Sequence, residues 1–160
     1  MEVTAREARE GDLDVVEALL DAAAADVGTM RGGDVWLLTH PRPSAVRASL
    51  QADLAAGDRT LVVGTIDEVV VGYGEAAVAE RPGDGTVATV TGLWVLPDAR
   101  DVGVAEAVMD VLLEWSHGHG AIAIESSVLP GNRAGKNFFE RYGLVARAIT
   151  VRRRLDGADS

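Results

Sequence analysis

Between Thr60 and Val95 the chain carries three runs of branched residues, with nothing longer than a tight turn between them. Thr60 to Ile66, Val69 to Ala79 and Thr86 to Val95 read as strands. Asp67-Glu68 and Arg81-Pro-Gly-Asp-Gly85 supply the turns. Strands joined this closely must run antiparallel, because parallel neighbours need a crossover of about a dozen residues or more. The rest of the chain has to pack around this meander. Gly72 and Gly74, inside the second run, mark a bend or bulge.

The flanks change period. Val3 to Ala8 is a short strand with Val3 and Ala5 on one face. Leu13, Val16, Leu19, Leu20 and Ala23 then recur at helical spacing over 13 to 25, behind Asp12 as an N-cap. Residues 27 to 43 are broken by glycine and proline around Val35-Trp36-Leu37-Leu38, which gives a loop holding a turn of helix or a short strand. A second helix covers about 45 to 56. After Pro97, Val104, Val108, Val111, Leu112 and Trp115 share one face of a helix over about 103 to 118. Ala121 to Val128 is a buried strand, 133 to 142 a helix closed by Gly143 in a left-handed cap, and 144 to 155 alternates as a final strand. The order is β-α-α-β-β-β-α-β-α-β. This is an α+β fold with a mixed, mostly antiparallel sheet and helices on both faces. Residues 1–155 are expected to form a single domain and 156–160 a frayed tail.

Hydrophobic residues make up 48% of the 160, enough for an ordinary core, while aromatics make up only 4%, so that core must be largely aliphatic. The lack of cysteine excludes disulfides, thiolate metal sites and a cysteine nucleophile. The charged start, Met1 to Glu10, has no apolar core of a signal peptide, and no apolar run approaches the ~20 residues that span a bilayer. A cytoplasmic protein is expected, without a membrane partner. A formal charge of −10 argues against a nucleic-acid partner and suits cationic ones, amines among them. His40, His117 and His119 have no metal-site spacing and no acidic cluster has that of a calcium loop, so no metal is expected.

Two stretches carry the chemistry. In Leu93-Trp-Val-Leu-Pro-Asp-Ala-Arg-Asp-Val-Gly-Val-Ala105 a strand ends, Pro97 forces a turn, and a helix begins near Gly103. Arg100-x-x-Gly103-x-Ala105 leaves free amides at the positive end of a helix, where small residues let an anion such as a pyrophosphate approach the backbone. An ordinary strand–helix connection would look the same. Further on, Asn132 follows a strand, Phe138-Phe139 lies six and seven residues later, and Gly143-Leu144 stops the helix. Taken singly, these residues cap and pack.

In this order and spacing, the two stretches resemble the GNAT family of acyl-CoA N-acyltransferases. The first resembles the family's Q/R-x-x-G-x-G/A pyrophosphate loop, and the second its N-x-x-A-x-x-F-Y-x-x-x-G-F segment. The resemblance implies that acetyl-CoA is the cosubstrate. Arg100 would open the loop, and the amides of Val102, Gly103, Val104 and Ala105 would hold the pyrophosphate. The backbone of Leu93 and Val95 would pair with the pantetheine arm where strands 86–95 and 121–128 splay apart. Asn132 would line the channel and Phe138 would pack beneath it. The chain departs from the pattern at Asp101, at Val102, at Gly135 in place of alanine, and at Phe139, where the family commonly has a tyrosine that protonates the leaving thiolate. It also offers one C-terminal strand where the family usually has two, which leaves two readings: a homodimer completes the sheet, or the fold is truncated.

Attack of a neutral amine on a thioester needs a base and a group that polarises the carbonyl. By analogy the Val95 amide takes the second role. Glu75, mid-strand near the bend, is the first candidate base, although an outward, solvated glutamate fits the same pattern. Glu125 is a weaker candidate base, Ser126 and Ser127 could relay a proton, and Tyr142, one helical turn from Phe139, could supply the missing hydroxyl. Met30, Arg31, Trp36 and His40 could line the acceptor pocket. The reading is an N-acetyltransferase acting on a small-molecule primary amine. The alternatives are a protein N-terminal or lysine acetyltransferase, and a non-catalytic acyl-CoA-binding module.

Overall fold

A computed structural model describes residues 1–158. Strand β1 (Val3–Glu7) leads through a short 3-10 turn into α1 (Leu13–Gly28), α2 (Gly33–Thr39) and α3 (Val46–Ala55). The meander follows as β2 (Arg59–Ile66), β3 (Val69–Arg81) and β4 (Gly85–Val95). A 3-10 turn at Pro97–Ala99 precedes α4 (Val104–Gly118), then β5 (Ala123–Ser126) and α5 (Arg133–Arg141). The sheet runs in the order β1-β2-β3-β4-β5, with antiparallel pairs through β4 and a parallel pair between β4 and β5.

Each face of the sheet has its own core. On one side Leu13, Val16, Leu19 and Leu20 of α1, with Leu50 of α3, pack on Leu61, Val63 and Tyr73. On the other, Val108, Met109 and Leu112 of α4, with Phe138 of α5, pack on Val62, Ala76 and Val90. The fold class read from the pattern therefore holds.

The register shifts fall beside Gly72 and Gly74: Val71, next to Gly72, is the extra residue facing the Gly64–Thr65 step, and Thr91 of β4 is the extra residue facing Glu75–Ala76. The glycines also form a floor for α4. A Cβ on Gly74 would stand 2.5 Å from Val108 Cγ1 and 2.9 Å from Leu112 Cδ1. One on Gly64 would stand 2.6 Å from Val104 Cγ1. One on Gly72 would meet the Trp94 carbonyl and Val95 Cγ2, both at 3.0 Å. The helix rests on bare backbone, closer than any side chain would permit.

Three local expectations are corrected. Residues 33–39 form a helix, entered through Gly32 at φ 81°. Asp12 does not cap α1 with its side chain. Its carboxylate accepts from the Arg9 amide at 2.8 Å and from both Arg6 guanidinium nitrogens at 2.7 and 3.0 Å, and the Arg6 bonds hold its pKa below the usual range. The final strand over 144–155 does not form: these residues adopt no strand, and among the described residues their one backbone bond is from the Leu144 amide to the Phe139 carbonyl at 3.0 Å. The expected frayed tail, 156–160, lies partly outside the described residues.

Gly74→Ala is expected to lower stability by about 1–3 kcal/mol through overpacking against Val108 and Leu112. Gly57→Ala, where a Cβ would meet nothing within 4 Å, should leave it nearly unchanged. Chemical denaturation of both variants decides whether the floor is needed.

Candidate active site

The two strands expected to splay do so. β4 and β5 pair only from Val87↔Ala123 to Val90↔Ser126. The Ser126 hydroxyl donates to the Val90 carbonyl at 3.0 Å and closes that last step. The Thr91 bulge follows at once, and β4 continues to Val95 with β3 as its only strand neighbour among the described residues. The Leu96 amide donates to Val71 of β3, so alternation turns the amides of Leu93 and Val95 outward, to the open side.

The chain then passes through the 3-10 turn into α4. Asp101 holds φ 63° and Gly103 φ 96°, two left-handed residues in a tight loop. Asp101 tolerates this at some cost, whereas Gly103 has no Cβ to strain. No amide from Asp101 to Glu106 has a hydrogen-bond partner among the described residues, and α4 has no side-chain cap. Val102 is an exposed apolar residue of this loop, and Asp101 is exposed without an ion-pair partner among the described residues. The loop thus presents a set of free amides beside the Asp101 carboxylate, while the Glu106 carboxylate in the first turn of α4 is paired with Arg141. Geometrically, the outward amides of β4 lead into the free amides of α4.

Arg100 faces the other way. Its Nε donates to the Val95 carbonyl at 2.9 Å, one terminal nitrogen lies 3.4 Å from Asp26 Oδ2, and its guanidinium sits 5.4 Å from the Trp94 ring centre. The same Asp26 oxygen accepts from Trp94 Nε1 at 2.9 Å. Asp26 thereby ties the last turns of α1 to the end of β4. From there the α1–α2 turn reaches across to the β5–α5 loop. A Cβ on Gly131 would lie 3.1 Å from the Arg31 amide nitrogen, and one on Gly32 3.8 Å from Leu129 Cδ2. The turn bridges the ends of the two diverging strands.

Glu75 stands on the α1 face, opposite Gly92, the first paired residue of β4 beyond the bulge. A Cβ on Gly92 would come within 2.7 Å of a Glu75 carboxylate oxygen and 3.2 Å of Tyr73 Cε2. Arg42, from the α2–α3 loop, grips the carboxylate with two bonds of 3.1 and 2.7 Å. Burial, reinforced by the Glu75 charge, pushes the Tyr73 phenol well above its ordinary range. Arg42, Tyr73 and Asp26 were not singled out from the sequence; nothing local in the chain marks their meeting with Glu75, Trp94 and Arg100.

The downstream residues do structural work. Asn132 caps α5 by accepting from the Gly135 amide at 2.9 Å, and a Cβ on Gly135 would stand 2.6 Å from the Asn132 side-chain nitrogen. Phe138 is buried, edge-on to Phe139 at 5.4 Å. Tyr142 turns its hydroxyl to α4, donating to the Glu106 carbonyl and to Asp110, both at 3.2 Å. Burial and Asp110 push its pKa up to about 12. Glu125 is exposed and doubly bound by Arg81.

The acetyltransferase (GNAT) family model matches residues 32–144. The chain belongs to the GNAT acetyltransferase family. Solved GNAT-fold structures superpose over almost the whole chain. AAC(6')-Iy, in complex with the bisubstrate analogue CoA-S-monomethyl-acetylneamine, has a TM-score of 0.74 at 19% identity, covering 96% of this chain and 99% of that one. An aminoglycoside acetyltransferase, meta-AAC0020, from an uncultured soil metagenomic sample and in complex with sisomicin, has a TM-score of 0.70 at 14% identity, covering 95% and 94%. A protein of Bacillus halodurans C-125 described as a transcriptional regulator has a TM-score of 0.74 at 20% identity, covering 96% and 100%. At these identities the likeness establishes the fold. No match is found among curated proteins.

Asp101→Asn removes the carboxylate beside the free amides that has no ion-pair partner among the described residues, Glu106 being paired with Arg141, and keeps a side chain that tolerates a left-handed backbone. It is expected to tighten CoA binding about 2–5-fold at low ionic strength, with the gain shrinking as salt rises. Isothermal titration measures it; unchanged affinity would mean that the carboxylate does not face the ligand.

Proposed function

We propose that the chain is an N-acetyltransferase that passes the acetyl group of acetyl-CoA to a primary amine of a small molecule. The observation that carries this reading is the run of outward amides on β4 ending at the free amides of α4. An extended polar arm ending in a diphosphate suits such a surface, the arm adding to the sheet edge and the anion meeting the helix N-terminus. In this reading Leu93 and Val95 pair with the pantetheine, and Val102, Gly103, Val104 and Ala105 hold the pyrophosphate. Arg100 braces the loop against Val95 and Asp26. Asn132 and Phe138 hold α5 along the same channel.

The amine nitrogen attacks the thioester carbonyl, the C–S bond breaks, and the thiolate leaves. The Val95 amide donates to the carbonyl oxygen as charge develops there. The ammonium proton goes to Glu75. Gly92, beneath that carboxylate, lies three residues from Val95, about 10 Å along the strand, so the proton travels through water. With Phe139 apolar and the Tyr142 hydroxyl engaged on α4, the thiolate takes its proton from solvent.

A small acceptor is favoured by the bridge between the α1–α2 turn and the β5–α5 loop, which narrows the approach that a protein tail would need. The acidic chain favours a polycationic one. The aminoglycosides named with two of the similar structures are small polyamines of this kind.

Thiol release from acetyl-CoA, followed with a panel of polyamines, aminoglycosides and lysine-containing peptides, tests the reading. Small amines should stimulate release, and Glu75→Gln should lower kcat/KM by about 10²-fold while leaving CoA binding intact. CoA binding without release for any amine would favour a binding module, and release with peptides alone would favour a protein acceptor.

A further inference from the structure

Arg42 belongs to an exposed loop, yet it reaches a largely buried carboxylate. The loop between α2 and α3 reads His40-Pro-Arg-Pro-Ser-Ala45, and all of residues 40–45 are exposed. From it the Arg42 side chain turns back to the sheet. Its two terminal nitrogens donate to the two oxygens of Glu75 at 3.1 and 2.7 Å. The Glu75 side chain is only 12% exposed, against 40% for Arg42. Paired bonds from a planar fork fix the plane of a carboxylate as well as its place, which a single ammonium does not do.

The neighbours narrow that place further. Gly92, opposite Glu75 on β4, has no side chain, and a carboxylate oxygen lies over the gap: a Cβ there would stand 2.7 Å from Glu75 Oε2. The Tyr73 ring closes in beside it, with Cε2 3.2 Å and the hydroxyl 3.7 Å from the same point. The loop itself is stiffened by its sequence. Pro41 and Pro43 each lock one φ, and Pro43 biases Arg42 toward extended backbone. Little conformational freedom is left for the residue that carries the fork.

We infer that Arg42 is a positioning residue for Glu75: the Pro-Arg-Pro loop and the bare backbone of Gly92 together hold the carboxylate at the one place and angle from which its water relay works. The inference rests on the acyl-transfer reading, with Glu75 as the base. Arg42 takes one lone-pair site on each oxygen and leaves the others for water, so the relay toward Val95 starts from a fixed point. It moves no proton itself, because a guanidinium keeps its charge in proteins.

Thiol release from acetyl-CoA, with whichever polyamine, aminoglycoside or lysine peptide gives the fastest rate, tests this. Arg42→Ala should lower kcat about 10- to 100-fold, the scale of a misplaced reacting group, with the KM for acetyl-CoA unchanged. Millimolar guanidinium ion should restore part of that rate, and Arg42→Lys should fall between, since it offers one ammonium in place of a fork. In a Glu75→Gln background Arg42→Ala should cost nothing further, because no base is left to position. Gly92→Ala, whose Cβ enters the space of the carboxylate, should lower kcat in the same way, and it carries the test if Arg42→Ala fails to fold. Unchanged kcat in either variant, or a loss that persists in full in the Glu75→Gln background, would overturn the inference. Release with no amine would overturn the acyl-transfer reading itself, and the inference with it.

Discussion

Gly64, Gly72 and Gly74 leave three bare positions on the helix-facing side of β2 and β3, and Val104, Val108 and Leu112 of α4 fill the space. Much of the rest follows from this close seat. It fixes the height of α4 over the sheet and brings its first turn down beside the end of β4, where Val104 packs with Val95 and Ala99. A bulkier residue at any of the three glycines would lift the helix and carry its free amides away from the strand that leads to them. The Thr91 bulge and the early end of β5 then open the edge along which those amides lie.

A second set of contacts links this frame to the acceptor side. Asp26 accepts from both Trp94 and Arg100 and so ties the C-terminal end of α1 to the end of β4 and the loop before α4. The Arg42–Glu75 pair ties the α2–α3 loop to the middle of β3. In the proposed reaction Arg42 holds the carboxylate in place with its two bonds, while water carries the proton over the remaining distance. The missing tyrosine at position 139 has no replacement nearby, because Tyr142 faces α4. In the proposed reaction, catalysis therefore rests on positioning and on the Val95 amide more than on acid assistance.

Much of this was legible in the sequence, for identifiable reasons. The meander, α1, α4 and α5 announce themselves because one period dominates each stretch and strong turn residues bound it. The splay and the α4 loop were legible from two local motifs in fixed order. Arg42 with Glu75 and Asp26 with Arg100 were not, since their partners lie 33 and 74 residues apart and only the folded chain joins them. Asp12 had the right residue type for a cap, but two bonds to Arg6 outcompete the first turn of α1. Residues 33–39 hide a helix behind Gly32 and Gly33, which read as breakers. Residues 144–155 have the alternation of a strand, but alternation supplies only a face, and a strand also needs a neighbour.

Amide hydrogen exchange with and without CoA, resolved residue by residue, tests the central claim most directly. Slowed exchange at Leu93 and Val95 and across Val102 to Ala105, with little change on β1 and β2, is the expected result. Tight CoA binding that leaves those amides exchanging as fast as before would contradict the claim that the open edge of β4 and the N-terminus of α4 form the cosubstrate site.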